Sequence, residues 1–405
     1  MNLLLATATT SASTTCNNCE QRIQITMRIL VGNNHLVKTG GTENYTYALA
    51  LELKRQGHSV EYFTFEKGEV SFLLEENGIP FKSQKQYDLI LANHNTVVEE
   101  LRLLGYIIQT CHGYIPQLEQ PSPFADAYVA VSEEVREYLQ VKGYQSTVIL
   151  NGIDCNRFCS KTPVSEKLST VLSLCQSDVA NDFIGRCCEQ AGIKFLQSNK
   201  FTDNVWSIED LINQSDLVIG LGRSAYDAMA CGRCVLVYDY REYMGEFLGD
   251  GILTPDSVGK SIFCNCSGRW SRLKFDEQAF IEEMQKYSPK LAAWSREYAV
   301  ENLNIEKAAK VYLDLCSNKK KNALKLLLKK RIYEERQEKD NIVYMNQQLR
   351  EQIVSLLQQI EQLQTAYSAK HRKHLRAIRA LVWLCIALLI ISVIFCMKAI
   401  TLNVK

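Results

Sequence analysis

The chain has 405 residues, 46% of them hydrophobic and only 7 of them proline, a composition of packed globular structure rather than disorder. Its 46 basic and 45 acidic residues leave a formal charge of +1, which gives no basis for nucleic acid as a partner. Fifteen cysteines at irregular spacings suit a reducing compartment better than a disulfide framework.

Residues 1–26 are rich in Ser, Thr and Ala and lack the basic start and long apolar run of a secretory signal. They read as a disordered leader, with Met27 as an alternative start. Two CxxC pairs occur, Cys16/Cys19 and Cys231/Cys234. A zinc site would need both pairs to converge, or one pair with histidines at ligand spacing. Cys231 and Cys234 flank a helix-to-strand turn and read as small buried apolar residues, so no metal is expected.

Residues 27–160 alternate strand and helix. A strand over 28–31 leads to a loop carrying Gly40-Gly41, then to a helix that runs to Gln56 and stops at Gly57. Tyr45, Ala48, Leu49 and Leu53 form its apolar stripe. A strand over 59–65 follows, and later strands end at Asn93-His94, at Cys111-His112-Gly113 and at Ser132. In open α/β sheets ligands bind at the carboxyl ends of strands, which makes His112, and after it His94, candidates for function. A histidine at a strand end also serves as a satisfied structural residue, and that alternative stands.

The second unit, residues 161–316, is joined to the first near Asn151-Gly152-Ile153-Asp154. Its most informative stretch is residues 216–239. This stretch predicts a strand over 217–221, a turn at Gly222-Arg223-Ser224, a helix from Ser224 to a stop at Gly232, and a strand over 234–238. Both strands are continuous apolar runs, as in a parallel sheet covered on both faces. The turn would place free amides at a helix N-terminus, an anion site, with Asp227 in the first helical turn. Ser224-x-x-Asp227 is equally a capping box that touches no ligand. Helical material is predicted from there to Cys316. Two α/β units in succession imply a cleft between domains, where small-molecule sites concentrate.

Residues 317–376 change character. Ile342, Leu349, Leu356 and Leu363 recur at sevens, as do Asn346, Ile353, Ile360 and Tyr367. They fit d and a positions of a coiled coil whose single polar a residue, Asn346, favours a two-stranded parallel form and hence a homodimer. A helical stalk within one chain is the alternative. Residues 380–397 then carry no formal charge over a span of about 27 Å of helix. Lys370, Arg372, Lys373, Arg376 and Arg379 precede this run, and only Lys398 and Lys405 follow it. The positive-inside bias predicts a C-terminal membrane anchor with the α/β domains in the cytoplasm. A buried core helix is the alternative, although it has no need of five flanking cations.

Several of these pieces together resemble the GT-B glycosyltransferases, in particular glycosyltransferase family 4. Gly40-Gly41 with Arg55-Gln56-Gly57-His58-Ser59-Val60 resembles the family's first glycine loop and its entry to the second strand. Thr110-Cys111-His112-Gly113, and then the run Ala125-Asp126-Ala127-Tyr128-Val129-Ala130-Val131-Ser132, are similar to its acceptor-side histidine and serine-ended strand. Asn151-Gly152-Ile153-Asp154 matches its interdomain element, and Tyr226-Asp227-Ala228-Met229-Ala230-Cys231-Gly232 resembles its donor-site helix. The stretch 294–315 looks like the helices that cross back to the first domain, so the likeness covers roughly 27–316.

The resemblance implies two Rossmann-like domains facing a cleft and a retaining, metal-independent transfer from a nucleotide diphosphate sugar. It implies that Gly40, Gly41, Gly222, Arg223 and Ser224 face the donor, that Asp227 binds the ribose hydroxyls, and that His112 lies near the reacting sugar. The acceptor would be a glycan or a lipid-linked sugar at a membrane. The sequence departs from the family pattern at Ile219, where a glutamate is usual, and at Leu172-Ser173-Leu174-Cys175-Gln176, which lacks the usual cations before Arg186. Arg223 is the candidate substitute, although a loop arginine also commonly points to water. A catalytically degenerate scaffold working through its coiled coil is the main alternative function, and a nucleotide-sugar epimerase ranks third.

Overall fold

The computed structural model describes residues 26–199, 206–242, 244–317, 323–368 and 375–402. Of the leader expected over 1–26, residues 1–25, Cys16 and Cys19 among them, lie outside the described residues, as do Lys370, Arg372, Lys373 and Lys405. The chain forms two compact units, Met1–Lys321 and Asn322–Lys405.

The first unit contains two sheets. The first begins with β1 (Arg28–Gly32), α1 (Gly41–Arg55), β2 (Ser59–Phe63) and α2 (Glu69–Glu76), followed by β3 (Leu89–Ala92) and α3 (Asn95–Leu101). It continues with β4 (Ile107–Cys111), β5 (Ala127–Ala130), α4 (Glu133–Val141) and β6 (Ser146–Val148). All its pairings are parallel, in the order β2-β1-β3-β4-β5-β6. Because side chains alternate across a strand, Ile29 and Val31 join one core with the α1 stripe Tyr45, Leu49 and Leu53. Leu30 enters the core on the other face, with Val97, Val98 and Leu101 of α3.

The second sheet comprises β7 (Thr170–Ser173), α5 (Asp178–Gln190), β8 (Lys194–Gln197), α6 (Ile208–Ile212), β9 (Leu217–Gly220), α7 (Arg223–Ala230) and β10 (Cys234–Arg241). Then β11 (Glu246–Ile252) returns antiparallel to β10, and the order is β11-β10-β9-β7-β8. This edge strand replaces helical material expected after residue 239. Its sequence, EFLGDGI, contains Gly249 and Gly251 in place of bulky residues, so it gives no apolar alternation to read. Gly249 is needed where it stands: a Cβ there would come within 2.4 Å of the Tyr238 ring.

The unit closes with α8 (Val258–Phe263), α9 (Glu277–Met284), α10 (Pro289–Asn302) and α11 (Ile305–Ser317). The last of these belongs to the first sheet's core, where Ile305, Ala309, Tyr312 and Cys316 are buried. The chain therefore crosses between the sheets twice, side by side. Ile153 donates to Leu303 O at 2.7 Å, and Ile305 donates back to Ile153 O at 2.9 Å. Gly152 permits the approach, since a Cβ there would lie 2.8 Å from the Ile305 Cα. Two Rossmann-like α/β domains thus face each other across a cleft in a GT-B-like arrangement.

The second unit consists of α12 (Ala323–Ser368) and α13 (Leu375–Leu402). Of the heptad rows on α12, the d residues Leu349 and Leu363 are 48% and 62% exposed. The a residues Ile353 and Ile360 line an apolar groove with Leu389 and Val393 of α13. Ala377–Phe395 of α13 is long and apolar enough to cross a membrane, and none of it is buried.

Candidate functional site

The carboxyl ends of both sheets open onto the cleft, and of the residues expected to bind a ligand Gly40, Gly41, Arg223, Ser224, Asp227 and His112 line one of two adjoining cavities there, while Gly222 lines neither. The smaller, about 240 Å³, is walled by Thr39, Gly40, Gly41 and Asn44 on the first domain and by Gln176, Arg223, Ser224 and Asp227 on the second. The larger, about 730 Å³, contains His94, His112 and Glu119, and shares Gly40, Gly41 and Arg223 with the smaller.

The N-terminus of α7 differs from its expected form. Helix α7 begins at Arg223 with Gly222 as its N-cap at φ 56°, a conformation that favours glycine. No side-chain capping bond forms, which excludes the capping box and places Asp227 beyond the first turn. The turn's amides are also partly used: Gly222 N donates to Cys266 O at 2.9 Å and Ser224 N to Leu221 O at 3.2 Å. The better amide source is α1. Its 15 residues start at Gly41, and the amides of Gly41 and Thr42 have no acceptor among the described residues.

Unpaired polar atoms mark the smaller cavity. Asn44 Oδ1, Gln176 Oε1, Arg223 Nε and Asp227 Oδ1 are all buried without a hydrogen-bond partner. Buried polar groups in folded proteins are overwhelmingly paired, so four atoms without a hydrogen bond around one cavity, two of them in the Arg223–Asp227 ion pair, point to a ligand that completes them. Arg223 Nε stands 3.6 Å from Asp227 Oδ1, outside hydrogen-bonding range, while its Nη1 donates to Gly152 O at 3.2 Å. Arg223 is therefore anchored across the domain junction and is not a solvated loop residue. Burial lifts the Asp227 carboxyl to about 6, against the pull of Arg223 and then Arg157. Gln176 Nε2 donates to Leu174 O at 3.0 Å, and its Oε1 is buried without a partner.

His112 is held by a relay. Thr46 Oγ donates to Thr42 O at 2.7 Å and accepts from Asn93 Nδ2 at 2.7 Å and from Asn33 Nδ2 at 3.0 Å. Asn93 Oδ1 then faces His112 Nε2 at 3.0 Å, so the neutral ring carries its proton on Nε2. Burial, followed by His94, lowers His112 to about 3, and burial lowers His94 to about 4. Both rings are neutral at physiological pH. Replacing Thr46 by Val keeps the shape but strands two asparagine donors. A loss of about 1–3 kcal/mol is expected in denaturant unfolding; an unchanged midpoint would remove the relay's importance.

Ile219, where the resembled family has a glutamate, is fully buried in β9 and cannot reach the cavity. Arg186 lies on the exposed side of α5 paired with Glu277 at 3.0 Å, as a surface residue should. Cys231 and Cys234 are free and buried. Among the described residues no group of three or more His, Cys, Asp or Glu is placed to hold a metal ion.

Sequence reasoning missed Asn44, Gln176, Glu43 and Glu119, and placed Asn93 at a strand end without giving it a role. The strand-end rule pointed to the neighbourhood of Gln176, three residues past the end of β7, but the residue was noticed only for lacking charge. Asn44 lies one turn into α1 from Gly40, and nothing in its local pattern separates it from a helix surface residue.

Solved structures of low identity align with most of this chain. A glycosyltransferase from Rickettsia africae ESF-5 aligns over 72% of this chain and 98% of its own, with 15% identity and a TM-score of 0.48. MurG of Acinetobacter baumannii covers 72% and 99%, with 11% identity and a TM-score of 0.41. MnaA of S. aureus, solved with UDP, covers 73% and 99%, with 12% identity and a TM-score of 0.39. The scores are low, and the chemistry of the site rests on this chain's own residues. No family model matches the chain, and no curated protein matches its sequence.

Proposed function

We propose that the protein is a retaining, metal-independent glycosyltransferase of the hexosyltransferase type, moving a sugar from a nucleotide diphosphate sugar to a membrane-associated or envelope glycan. The four orphaned polar atoms around the smaller cavity carry this reading. Three of them are acceptors, suited to ribose and sugar hydroxyls, with Asp227 on the ribose. Arg223, Ser224, and the Gly40-Gly41 loop with the open amides of α1 hold the diphosphate and stabilise it as it leaves. His112, neutral and fixed in one tautomer, orients the transferred sugar or the acceptor. Residues 27–160 then form the acceptor-side domain and 161–316 the nucleotide-sugar domain.

Titrating the full-length protein in detergent with UDP, GDP and ADP, each in excess EDTA, tests the donor site. Saturable binding of one nucleotide is expected, and absence of binding by the folded protein would reject the reading.

The C-terminal unit serves as stalk and anchor in this reading, α12 pairing with a second copy and α13 crossing the membrane with the domains on the cytoplasmic side. Confinement there raises encounter with a membrane-bound acceptor. A chain ended after Ser317 is expected to move from the membrane pellet to the supernatant on fractionation. Retention in the pellet would show that the anchor lies elsewhere. The degenerate-scaffold reading keeps one observation in its favour: Arg223 is the sole cation on the wall of the smaller cavity among the described residues.

A further inference from the structure

We infer that the larger cavity selects an uncharged, hydroxyl-rich acceptor, and that Glu119 and Glu43 impose the selection. The inference rests on the transferase reading, since it assigns chemistry to the acceptor side of the same cleft. Glu119 stands on a short 3-10 turn, Gln117–Glu119, after the His112 loop. Its carboxylate lies against the backbone of Gly113, where a Cβ would fall 2.5 Å from Oε2. Among the described residues no hydrogen bond or ion pair engages that carboxylate. Glu43, in the first turn of α1, is buried and faces the same space, paired with His35 at 3.1 Å. Glu66 adds a third carboxylate at the exposed rim.

The cations do not offset these carboxylates. His94 and His112 are neutral, His35 and Lys38 stand at the rim, the open amides of Gly41 and Thr42 are taken by the donor's diphosphate in the transferase reading, and Arg223 is held by Gly152 O on the wall it shares with Asp227. The wall therefore offers hydrogen-bond acceptors, which hydroxyls satisfy. A phosphate or carboxylate would bring a desolvated anion against the carboxylates of Glu43 and Glu66 and the ionised fraction of Glu119. Burial, and then the charge on Glu43, lifts Glu119 to about 7, so near neutrality it both accepts from a hydroxyl and donates to one. A cavity of about 730 Å³ has room for a sugar unit with its linkage.

The test uses the full-length protein in detergent, saturated with whichever of UDP, GDP or ADP it binds. Methyl α-glucoside and methyl α-galactoside serve as neutral probes and glucose 6-phosphate as the anionic one, each followed by saturation-transfer NMR and calorimetry. A neutral glycoside is expected to bind at least about tenfold more tightly than the phosphate. The isosteric Glu119→Gln should cut that preference at least about threefold while leaving nucleotide affinity within about twofold. Glu43→Gln serves as the second variant, with the same expectation. The inference is overturned if glucose 6-phosphate binds as well as the glycosides, if neither glycoside binds, or if both variants keep the wild-type preference. Discrimination between the probes by a protein that binds no nucleotide would instead reject the donor reading and leave the selection intact.

Discussion

Replacing Asp227 by Asn is expected to weaken nucleotide binding by about 100-fold and, at neutral pH, to make the protein more stable. A charge-assisted hydrogen bond to a hydroxyl in a buried site contributes about 1.5–3 kcal/mol, and 1.4 kcal/mol corresponds to tenfold in affinity. The stability gain follows from proton linkage. Burial raises the carboxyl from 3.8 to about 6 in the folded protein, so the native state holds its proton more tightly than the unfolded chain does. The penalty for the charged form is absent below pH 3.8, grows between there and 6, and is complete above 6. At about 1.4 kcal/mol per tenfold change in proton affinity, it reaches at most on the order of 3 kcal/mol. Thermal melts of both proteins from pH 4 to 8 should converge at the acid end and separate toward neutrality. Nucleotide affinity of the wild type should fall as pH drops through 6. A variant less stable than wild type at pH 8 would mean that Asp227 is a structural carboxylate, satisfied within the protein.

The largest effect on stability is expected at Arg233, which is 0% exposed and, among the described residues, has no carboxylate hydrogen-bonded to it. Its guanidinium donates instead to Ile212 O at 3.3 Å, Thr162 O at 2.9 Å, Thr162 Oγ1 at 2.8 Å and Asn213 O at 3.0 Å. One cation thereby ties the chain entering the second sheet to the end of α6 and the start of β10. Burial lowers its proton affinity. Arg233→Met would fill the space but strand these carbonyls, each at a cost of about 1–3 kcal/mol. The sum expected is about 3–5 kcal/mol, a fall in Tm of roughly 5–10 °C. A neutral or stabilising result would show that desolvating the guanidinium had cost as much as its bonds returned, as happens at some buried ion pairs.

These two residues show how far the sequence could be read. The unit from β9 to β10 was legible nearly to the residue because its apolar runs, glycine stop and small-residue turn all favour the same conformations. The α1 stripe was legible because Tyr45, Ala48, Leu49 and Leu53 obey one period, and all four are buried. Arg233 was not legible: an arginine beside a glycine in a turn looks solvated, and only the carbonyls converging on it from Thr162, Ile212 and Asn213 make burial possible. The α7 turn had the right residues and the wrong inventory, since Cys266, distant in sequence, takes the amide of Gly222. The cavity walls combine Gln176 from the loop after β7, Asn44 from the first turn of α1 and Glu119 from the loop after β4, and no local window records that meeting.

The helix that completes the first core has a consequence for how the protein is made. Residues up to 150 contain every strand of the first sheet, yet Ile305, Ala309 and Tyr312 fill one of its faces. Tyr312 also caps a buried hydroxyl chain, 2.9 Å from Tyr45 and 2.7 Å from Thr110. At a ribosome adding about 5–20 residues each second, the nascent first sheet waits roughly ten to thirty seconds with that face uncovered while the second domain is synthesised. Synthesis order and folding order therefore differ, and the interval leaves an apolar surface for chaperones to guard.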